Sequence, residues 1–156
     1  MKTTLCLLFC TAAFIIEGCA PLTLQPADFS WPIEIAAAPD SSGTIQVARY
    51  KVAFNCKPLL FEELQDSIHV TKYTLHVIRD RNGYYFITAK DFKSVYVFVQ
   101  GKGALKLDKK IQVSEKGLES PAFNQKGWFI HLINEQKENE QAILLSNDGI
   151  QEGEKK

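Results

Sequence analysis

The chain has no excess of charge and no basic cluster. Its 156 residues contain 18 Lys and Arg against 18 Asp and Glu. The nearest approach to a basic patch, formed by Lys106, Lys109 and Lys110, is interrupted by Asp108. Because nucleic-acid binding depends on basic side chains that neutralise phosphates, this balance argues against a nucleic-acid partner.

The sequence also lacks the short motifs that mark common catalytic sites. No serine lies in a Gly-x-Ser-x-Gly elbow. Gly101 and Gly103 lie in a lysine-containing turn between strands, whereas a phosphate-binding loop precedes a helix. The histidines His69, His76 and His131 do not show the spacing of paired metal ligands. We therefore expect no enzyme, no metal site and no cofactor.

Long apolar runs are scarce, and the only one covers residues 5–16. It is too short for a transmembrane helix, which needs about 20 apolar residues. Lys2 supplies a short basic start before the run, and the small residue Gly18 follows it. This arrangement is typical of a secretory signal peptide. The sequence therefore predicts export, with residues 1–18 removed.

The residues that end the run, Ile16-Glu17-Gly18-Cys19, resemble the lipobox of bacterial lipoproteins, in which an aliphatic residue and two further residues precede a cysteine. The family prefers a small or hydroxyl residue where this chain has Glu17. The resemblance implies a diacylglyceryl group on the Cys19 sulfur, cleavage after Gly18 and acylation of the new amino group. Ala20, at the position of an inner-membrane retention Asp, implies the outer membrane, facing the periplasm. The alternative is a secreted protein with an incidental cysteine.

Beyond the signal peptide we expect a single domain. Residues 19–30 are predicted to form the lipidated amino terminus and a proline-containing tether. Residues 31–146 are predicted to form one β-rich domain, and residues 147–156 a flexible tail. A mature chain of this length is enough for one domain with its own core and too short for two.

The cysteines do not predict a disulfide framework. Cys6 and Cys10 leave with the signal peptide and Cys19 accepts the lipid, so only Cys56 remains as a thiol. Cys56 continues an alternating apolar pattern, which is typical of a small buried hydrophobic residue. A catalytic thiol would need a neighbouring base and an electropositive setting, and the sequence shows neither.

Period-two alternation and short β-branched or aromatic runs dominate the domain, which predicts an all-β, mainly antiparallel fold. Residues 44–56 give the clearest half-buried strand, and residues 57–66 predict one short helix. Asn82-Gly83 is the strongest hairpin signal, and residues 94–100 are apolar on both faces, as in an interior strand. Eight or nine short strands favour a small β-sandwich or barrel. Further strands are predicted at residues 31–37, 68–79, 83–89, 104–108, 110–114, 127–134 and 142–146, with a loop at 115–121 and a charged turn at 135–141.

Aromatic residues crowd the middle strands on both faces of the predicted sheet. One interpretation is a core with cross-strand ladders, which stabilise sheets pairwise. The other is an exposed platform for a protein, glycan or lipid partner. In the second interpretation the candidate partner-binding residues are Tyr84, Tyr85, Tyr96 and Phe98.

Taken together, these features favour a membrane-tethered periplasmic lipoprotein that acts as a non-catalytic interaction or assembly module. Its partners are the membrane, through the amino-terminal lipid, and a protein of the cell envelope. One alternative is a β-barrel carrier that binds a lipid or other apolar small molecule inside. The other is a hydrolase, which would require a cleft that joins His131 or His69 to an acid and a nucleophile.

Overall fold

The computed structural model describes residues 32–102, 104–136 and 139–151. The predicted signal peptide, Cys19 and nearly all of the predicted tether lie outside these ranges. The described chain is mainly antiparallel β, with one α-helix, α1 (Lys57–Leu64). The strands are β1 (Ile35–Ala37), β2 (Thr44–Val47), β3 (Val52–Asn55), β4 (Leu75–Arg79), β5 (Tyr84–Ala89), β6 (Ser94–Gly101), β7 (Ala104–Gln112), β8 (Pro121–Lys126), β9 (Phe129–Gln136), β10 (Asn139–Ser146) and β11 (Gly149–Gln151).

A five-stranded antiparallel sheet in the order β1-β4-β5-β6-β7 forms the middle layer. Successive side chains of a strand point to opposite faces. In β5, Tyr85 and Ile87 therefore point to one side and Phe86 to the other, and all three are buried. The apolar character of β5 and β6 on both faces follows from burial on both sides.

The first core covers one face of this sheet. The β2–β3 hairpin and α1 lie over that face. Ile45 and Val47 of β2 and Leu60 of α1 pack in one cluster with Ile87 and Tyr96 of the sheet. Burial of such side chains contributes about 1.5–3 kcal/mol each, so this layer depends on the hairpin and the helix together.

Helix α1 confirms the predicted short helix. Pro58 lies in its first turn, where the missing N–H removes no helical hydrogen bond. The helix ends at Gln65, which adopts a left-handed conformation with φ 56° and donates its N–H to the Phe61 carbonyl. Leu59 and Leu60 are its buried residues.

The second core lies on the other face, under a four-stranded antiparallel sheet in the order β11-β10-β9-β8. Both sheets are open, because β1 and β7 are the edges of the first and β11 and β8 the edges of the second. The architecture is therefore a layered β-sandwich and not a closed barrel. The cluster between the sheets comprises Ile78, Phe86, Val95, Val97, Ile111, Leu118, Phe123, Ile130, Leu132 and Leu145.

The prediction of one continuous strand over residues 44–56 is wrong. The chain turns through a 3₁₀ turn at Ala48–Tyr50 and through Lys51, whose φ is 52°, so that β2 and β3 form a hairpin. The apolar alternation that starts at Ala48 continues through this turn to Cys56, although its phase changes between Val47 and Ala48, and the turn contains no glycine or proline. Burial of Tyr50 against Tyr85, with ring centres 5.9 Å apart, takes the place of a turn signal.

Other boundaries also differ from the prediction. The strand predicted at residues 68–79 begins only at Leu75, after a 3₁₀ turn at Val70–Lys72. The two strands predicted at 104–108 and 110–114 are one strand, β7, with a register shift opposite Val97 and Phe98. The charged turn predicted at 135–141 is shorter, because β9 continues to Gln136 and β10 starts at Asn139.

Two strands were missed at the carboxyl-terminal end. Strand β8 was not predicted, because its polar residues Asn124, Gln125 and Lys126 are typical of an edge strand rather than of a buried one. The prediction of a flexible tail from residue 147 is wrong for residues 149–151. These residues form β11, which pairs with Leu144–Ser146 across a two-residue turn. The β structure therefore extends at least to residue 151.

Candidate functional site

The aromatic residues proposed to bind a partner do not form an exposed platform. Tyr85 and Tyr96 are 1% and 0% exposed and belong to the first core. Tyr84 and Phe98 are partly buried, against the second and the first core respectively. The core interpretation therefore holds for these residues, because a separate layer covers each face of the middle sheet.

The buried end of Tyr96 belongs to a polar cluster that fastens α1 to the sheet. The Tyr96 hydroxyl donates to Glu63 Oε1 at 2.8 Å, and the backbone N–H of Lys93 donates to Glu63 Oε2 at 2.7 Å. Lys110 Nζ lies 3.0 Å from Glu63 Oε1 and donates to Glu62 Oε1 at 2.8 Å. The Glu63 side chain is only 3% exposed. Both of its carboxylate oxygens therefore have donors within the protein.

The electrostatics of this cluster favour a charged Glu63. Burial alone would raise the pKa of Glu63, but the hydrogen bonds from the Lys93 N–H, Lys110 and Tyr96 outweigh burial and lower it. Burial raises the pKa of the Tyr96 hydroxyl well above its usual range, and the neighbouring Glu63 carboxylate adds to this rise. A cleft of about 410 Å³ lies beside the cluster. A carboxylate with a lowered pKa and fully engaged oxygens is a poor general base, so we assign Glu63 a structural role.

A second polar cluster joins the segment before β1 to strands β4 and β8. Glu34 Oε1 lies 2.6 Å from His76 Nδ1 of β4 and accepts the backbone N–H of Phe123 at 3.0 Å. Phe123 lies in β8, an edge strand of the second sheet. An edge strand exposes backbone donors that can pair with other chains, and Glu34 satisfies one of them.

The other histidines of the sequence lie apart from this cluster. His69 lies in the loop after α1, with Nδ1 3.4 Å from Asp66 Oδ2, while Asp66 accepts the backbone N–H groups of Ile68 and His69 and the Tyr73 hydroxyl. These hydrogen bonds, led by that from the His69 N–H, lower the pKa of Asp66. His131 lies on β9, on the opposite side of the second sheet from the core.

Cys56 is buried in the first core. Burial raises the pKa of its thiol, whereas a reactive cysteine needs a lowered pKa. The described ranges contain no cluster of three or more His, Cys, Asp or Glu side chains placed to bind a metal. Within those ranges, no helix has the length and hydropathy of a membrane span.

An apolar surface on the second sheet was not predicted from the sequence. Ile130 and Leu132 of β9 point into the second core, so Phe129 and Ile133 point away from it. In register with Ile133 lie Ala122 of β8 and Ala142 of β10. We call this surface the outer face; its apolar residues are Ala122, Phe129, Ile133, Ala142 and Leu144, all partly or largely exposed.

The outer face is a candidate contact surface rather than a catalytic site. Its apolar side chains belong to neither core. Asn124 and His131 share this face and lie in register with Leu144, so its apolar residues alternate with polar ones. Exposed apolar patches with polar surroundings on a folded domain commonly mark interaction sites. The alternation of residues within β9 was the only sequence signal for this face. It predicts an apolar surface only when β8 and β10 are known to lie on either side of β9. Comparison of the chain with protein-family models, curated proteins and solved structures gives no match.

Proposed function

We propose that this protein is a lipid-anchored component of the bacterial cell envelope whose β-sandwich acts as a non-catalytic interaction module. The lipid would be attached to Cys19 and would hold the domain at the periplasmic side of the outer membrane. The observation on which the proposal depends is the Ile16-Glu17-Gly18-Cys19 motif at the end of the apolar run.

The interaction role is supported by the outer face. Ile133 and Leu144 are aliphatic side chains in adjacent strands that are only partly buried. A partner that covered them would remove apolar area from water, which contributes about 25 cal/mol per Å². We therefore place the contact with an envelope protein on this face rather than on the aromatic residues of the middle sheet.

The packing of the interior weighs against the carrier hypothesis. Both faces of the middle sheet are filled by side chains of the two cores. The clefts of about 410 and 420 Å³ at the surface are lined largely by charged and other polar groups, including Glu62, Lys110, Lys72 and Asp91. Such linings do not suit an apolar ligand, whose sites are mostly lined by apolar side chains.

Mass spectrometry of the protein purified from the membranes of an expressing bacterium tests the anchor. We expect the first residue to be Cys19, modified by a diacylglyceryl group on sulfur and an acyl group on nitrogen. An intact Met1, or a processed terminus without acyl groups, would contradict the proposed anchor.

Site-specific photocrosslinking tests the outer face. We expect a crosslinking amino acid at Ala142, which is exposed on the outer face, to link the protein to an envelope protein. The matched control is Gln46, which is exposed in β2 on the side opposite the buried Ile45 and Val47. We expect the substitution Ile133→Asp to weaken crosslinking at Ala142 by about tenfold or more, because a buried unpaired charge costs several kcal/mol.

Thermal unfolding of Ile133→Asp shows whether the domain remains folded, which separates loss of contact from loss of structure. Equal crosslinking from Ala142 and Gln46, or crosslinking at Ala142 that a folded Ile133→Asp variant leaves unchanged, would rule out the outer face as the contact surface.

A further inference from the structure

The chain reaches the domain at one particular end of the sandwich. Strand β1 runs antiparallel to β4, with Ile35 opposite Val77. The residues before Ile35 therefore lie toward Arg79 and the turn at residues 80–83. We call this end of the sandwich the tether end, because residues 20–31 connect it to Cys19.

Three further turns lie at the tether end. Tyr84 is opposite Val99, which brings Lys102, in the turn after β6, beside the turn at residues 80–83. The guanidinium of Arg81 in that turn lies 5.7 Å from the ring centre of Trp128, in the turn between β8 and β9.

The turn between β2 and β3 lies at this end as well. The Tyr50 hydroxyl donates a hydrogen bond to the Ile33 carbonyl. Lys51, next in the chain, lines a cleft together with Gln100 and Ala104, which flank the turn after β6. Four separate turns thus form the tether end.

The exposed groups of the tether end are aromatic and cationic. Trp128 is 74% exposed although it is a large apolar side chain. Lys51, Arg81 and Lys102 are all exposed. The Asp148 side chain, in the neighbouring turn between β10 and β11, is an exposed acid beside them.

The other acid of these turns is withdrawn from the surface. Asp80 is 6% exposed, and its carboxylate accepts the backbone N–H of Tyr84 at 2.8 Å. Burial raises the pKa of Asp80. The Asp80 carboxylate therefore points into the turn and not into the solvent. The exposed charged side chains described at the tether end are mainly positive.

The opposite end of the sandwich differs in composition. It contains the turn between β5 and β6 and the loop before β8, which contact each other through backbone hydrogen bonds such as Leu118 N–H to the Phe92 carbonyl. Its exposed charged side chains are of both signs: Lys72, Lys90, Asp91, Lys93, Glu115, Lys116 and Glu119. The segment before β4 adds Ile68, which is 81% exposed, and the described residues of this end include no tryptophan.

We propose that the tether end is a membrane-contact surface, on which Trp128 inserts at the bilayer interface and Lys51, Arg81 and Lys102 lie against anionic phospholipid headgroups. Tryptophan favours this interfacial position because its ring is apolar while its N–H reaches polar groups. Each cation near an anionic bilayer strengthens binding by about fivefold. The described part of the tether end has this combination, whereas the described part of the opposite end has exposed cations and Ile68 but no tryptophan, and its cations alternate with acids.

This inference rests on the proposed anchor at Cys19. The residues between Cys19 and the domain, 20–31, span at most about 40 Å when fully extended. A lipid on Cys19 therefore keeps the tether end close to the bilayer at a high effective concentration, so that a contact too weak to hold a free protein is populated. The outer face remains at the side of the sandwich for a protein partner.

Fluorescence quenching of the lipidated protein tests the contact. Trp31→Phe leaves Trp128 as the single tryptophan, and the protein is reconstituted into phosphatidylglycerol-rich vesicles with or without brominated acyl chains. We expect at least twofold lower Trp128 emission in the brominated vesicles. The matched control places a reporter at the opposite end through Lys116→Trp, with Trp31→Phe and Trp128→Phe, and its emission should be the same in both vesicles.

Variants that remove cations test whether anionic headgroups contribute to the membrane contact. We expect Arg81→Gln with Lys102→Gln to reduce the contact equilibrium by about 25-fold and to restore most of the Trp128 emission. Lys90→Gln with Lys116→Gln should leave the quenching unchanged.

Equal emission of Trp128 in the two vesicles, or equal quenching at Trp128 and at the Lys116→Trp reporter, overturns the membrane contact. A blue shift of Trp128 emission that depends on protein concentration and needs no vesicles also overturns it, because this result shows a protein–protein contact instead. Acylation of Cys19 is measured separately by mass spectrometry. An acylated protein with unquenched Trp128 refutes the contact alone, whereas an unacylated Cys19 refutes the anchor.

Discussion

Replacing Cys19 by alanine is expected to abolish acylation of the protein. The lipobox resemblance assigns the first acyl transfer to the Cys19 sulfur, and cleavage after Gly18 follows that transfer. Without the thiol, incorporation of labelled palmitate should fall to background, and the precursor should keep Met1. The effect is all-or-none because no other residue of the motif offers a thiol. Palmitate labelling, together with the mass of the intact chain, measures both consequences.

The chain provides a matched control for this substitution. Cys10 lies within the apolar run, only a few residues before Cys19. Cys10→Ala should leave labelling and cleavage unchanged, because the signal peptide tolerates any small apolar residue there. Labelling that persists in Cys19→Ala, or that is lost equally in Cys10→Ala, would refute the assignment of the lipid to Cys19.

The number of acyl chains determines how firmly a lipidated Cys19 would hold the protein at the membrane. Each buried methylene contributes about 0.8 kcal/mol, and a single chain gives only marginal, reversible binding. A terminus with the three proposed chains would be far beyond that threshold, so attachment would be effectively permanent. With such an anchor, the domain would need only weak contacts with the bilayer, which agrees with the exposed Trp128 and the few cations among the described residues of the tether end.

The fold class was predictable because its local signals are strong. The Asn82-Gly83 turn supplies a positive φ at Gly83, observed at 94°, and β4 and β5 pair across it as predicted. The helix was predictable from the break in alternation and from Pro58. The β2–β3 hairpin was not, because its turn at Ala48–Tyr50 is stabilised by tertiary packing of Tyr50 rather than by turn residues.

The exposure of each sheet face was less predictable from the sequence than the positions of the strands. Alternation shows that Tyr85 and Phe86 point to opposite faces, but it cannot show which layer covers each face. Both turned out to be covered. The exposed large apolar residues include Trp128, in a turn, and Phe129 of the outer face, but also Phe61, Ile68 and Ile150 elsewhere on the surface. The exposure of the outer face depends on the absence of a third layer over the described part of the second sheet. Such properties depend on the assembly of layers, which local patterns do not contain.

Replacing Glu63 by alanine is expected to lower the free energy of unfolding by about 3 kcal/mol at pH 7. The substitution leaves the buried hydroxyl of Tyr96 and the N–H of Lys93 without their acceptor, and breaking a largely buried ionic contact is strongly destabilising. It also removes one of the two carboxylates through which Lys110 of the sheet contacts α1. Urea denaturation of the wild-type protein and the variant measures the difference.

Glu62 provides the matched control, since it contacts the same Lys110 but is 51% exposed. Exposed ion pairs contribute at most about 1 kcal/mol, so Glu62→Ala should cost far less than Glu63→Ala. Equal losses for the two variants would show that burial of Glu63 has no energetic consequence and would contradict the role assigned to this cluster.

The pH dependence distinguishes a charged anchor from simple loss of packing. The pKa of Glu63 is lowered in the folded protein from its usual value near 4.5. The unfolded chain therefore binds a proton at Glu63 more readily than the folded protein does. The stabilisation from the Glu63 charge is fully present above pH 4.5 and is lost as the pH falls through the pKa of Glu63 in the folded protein.

Asp80 has a raised pKa, so its contribution to the pH dependence of stability has the opposite sign. The stability of the wild-type protein as a function of pH therefore does not isolate the contribution of Glu63. The difference between wild type and Glu63→Ala cancels the contribution of Asp80, and we expect it to shrink as the pH is lowered below about 4. A difference that stays constant between pH 7 and the acid limit of folding would mean that the Glu63 charge does not stabilise the attachment of α1.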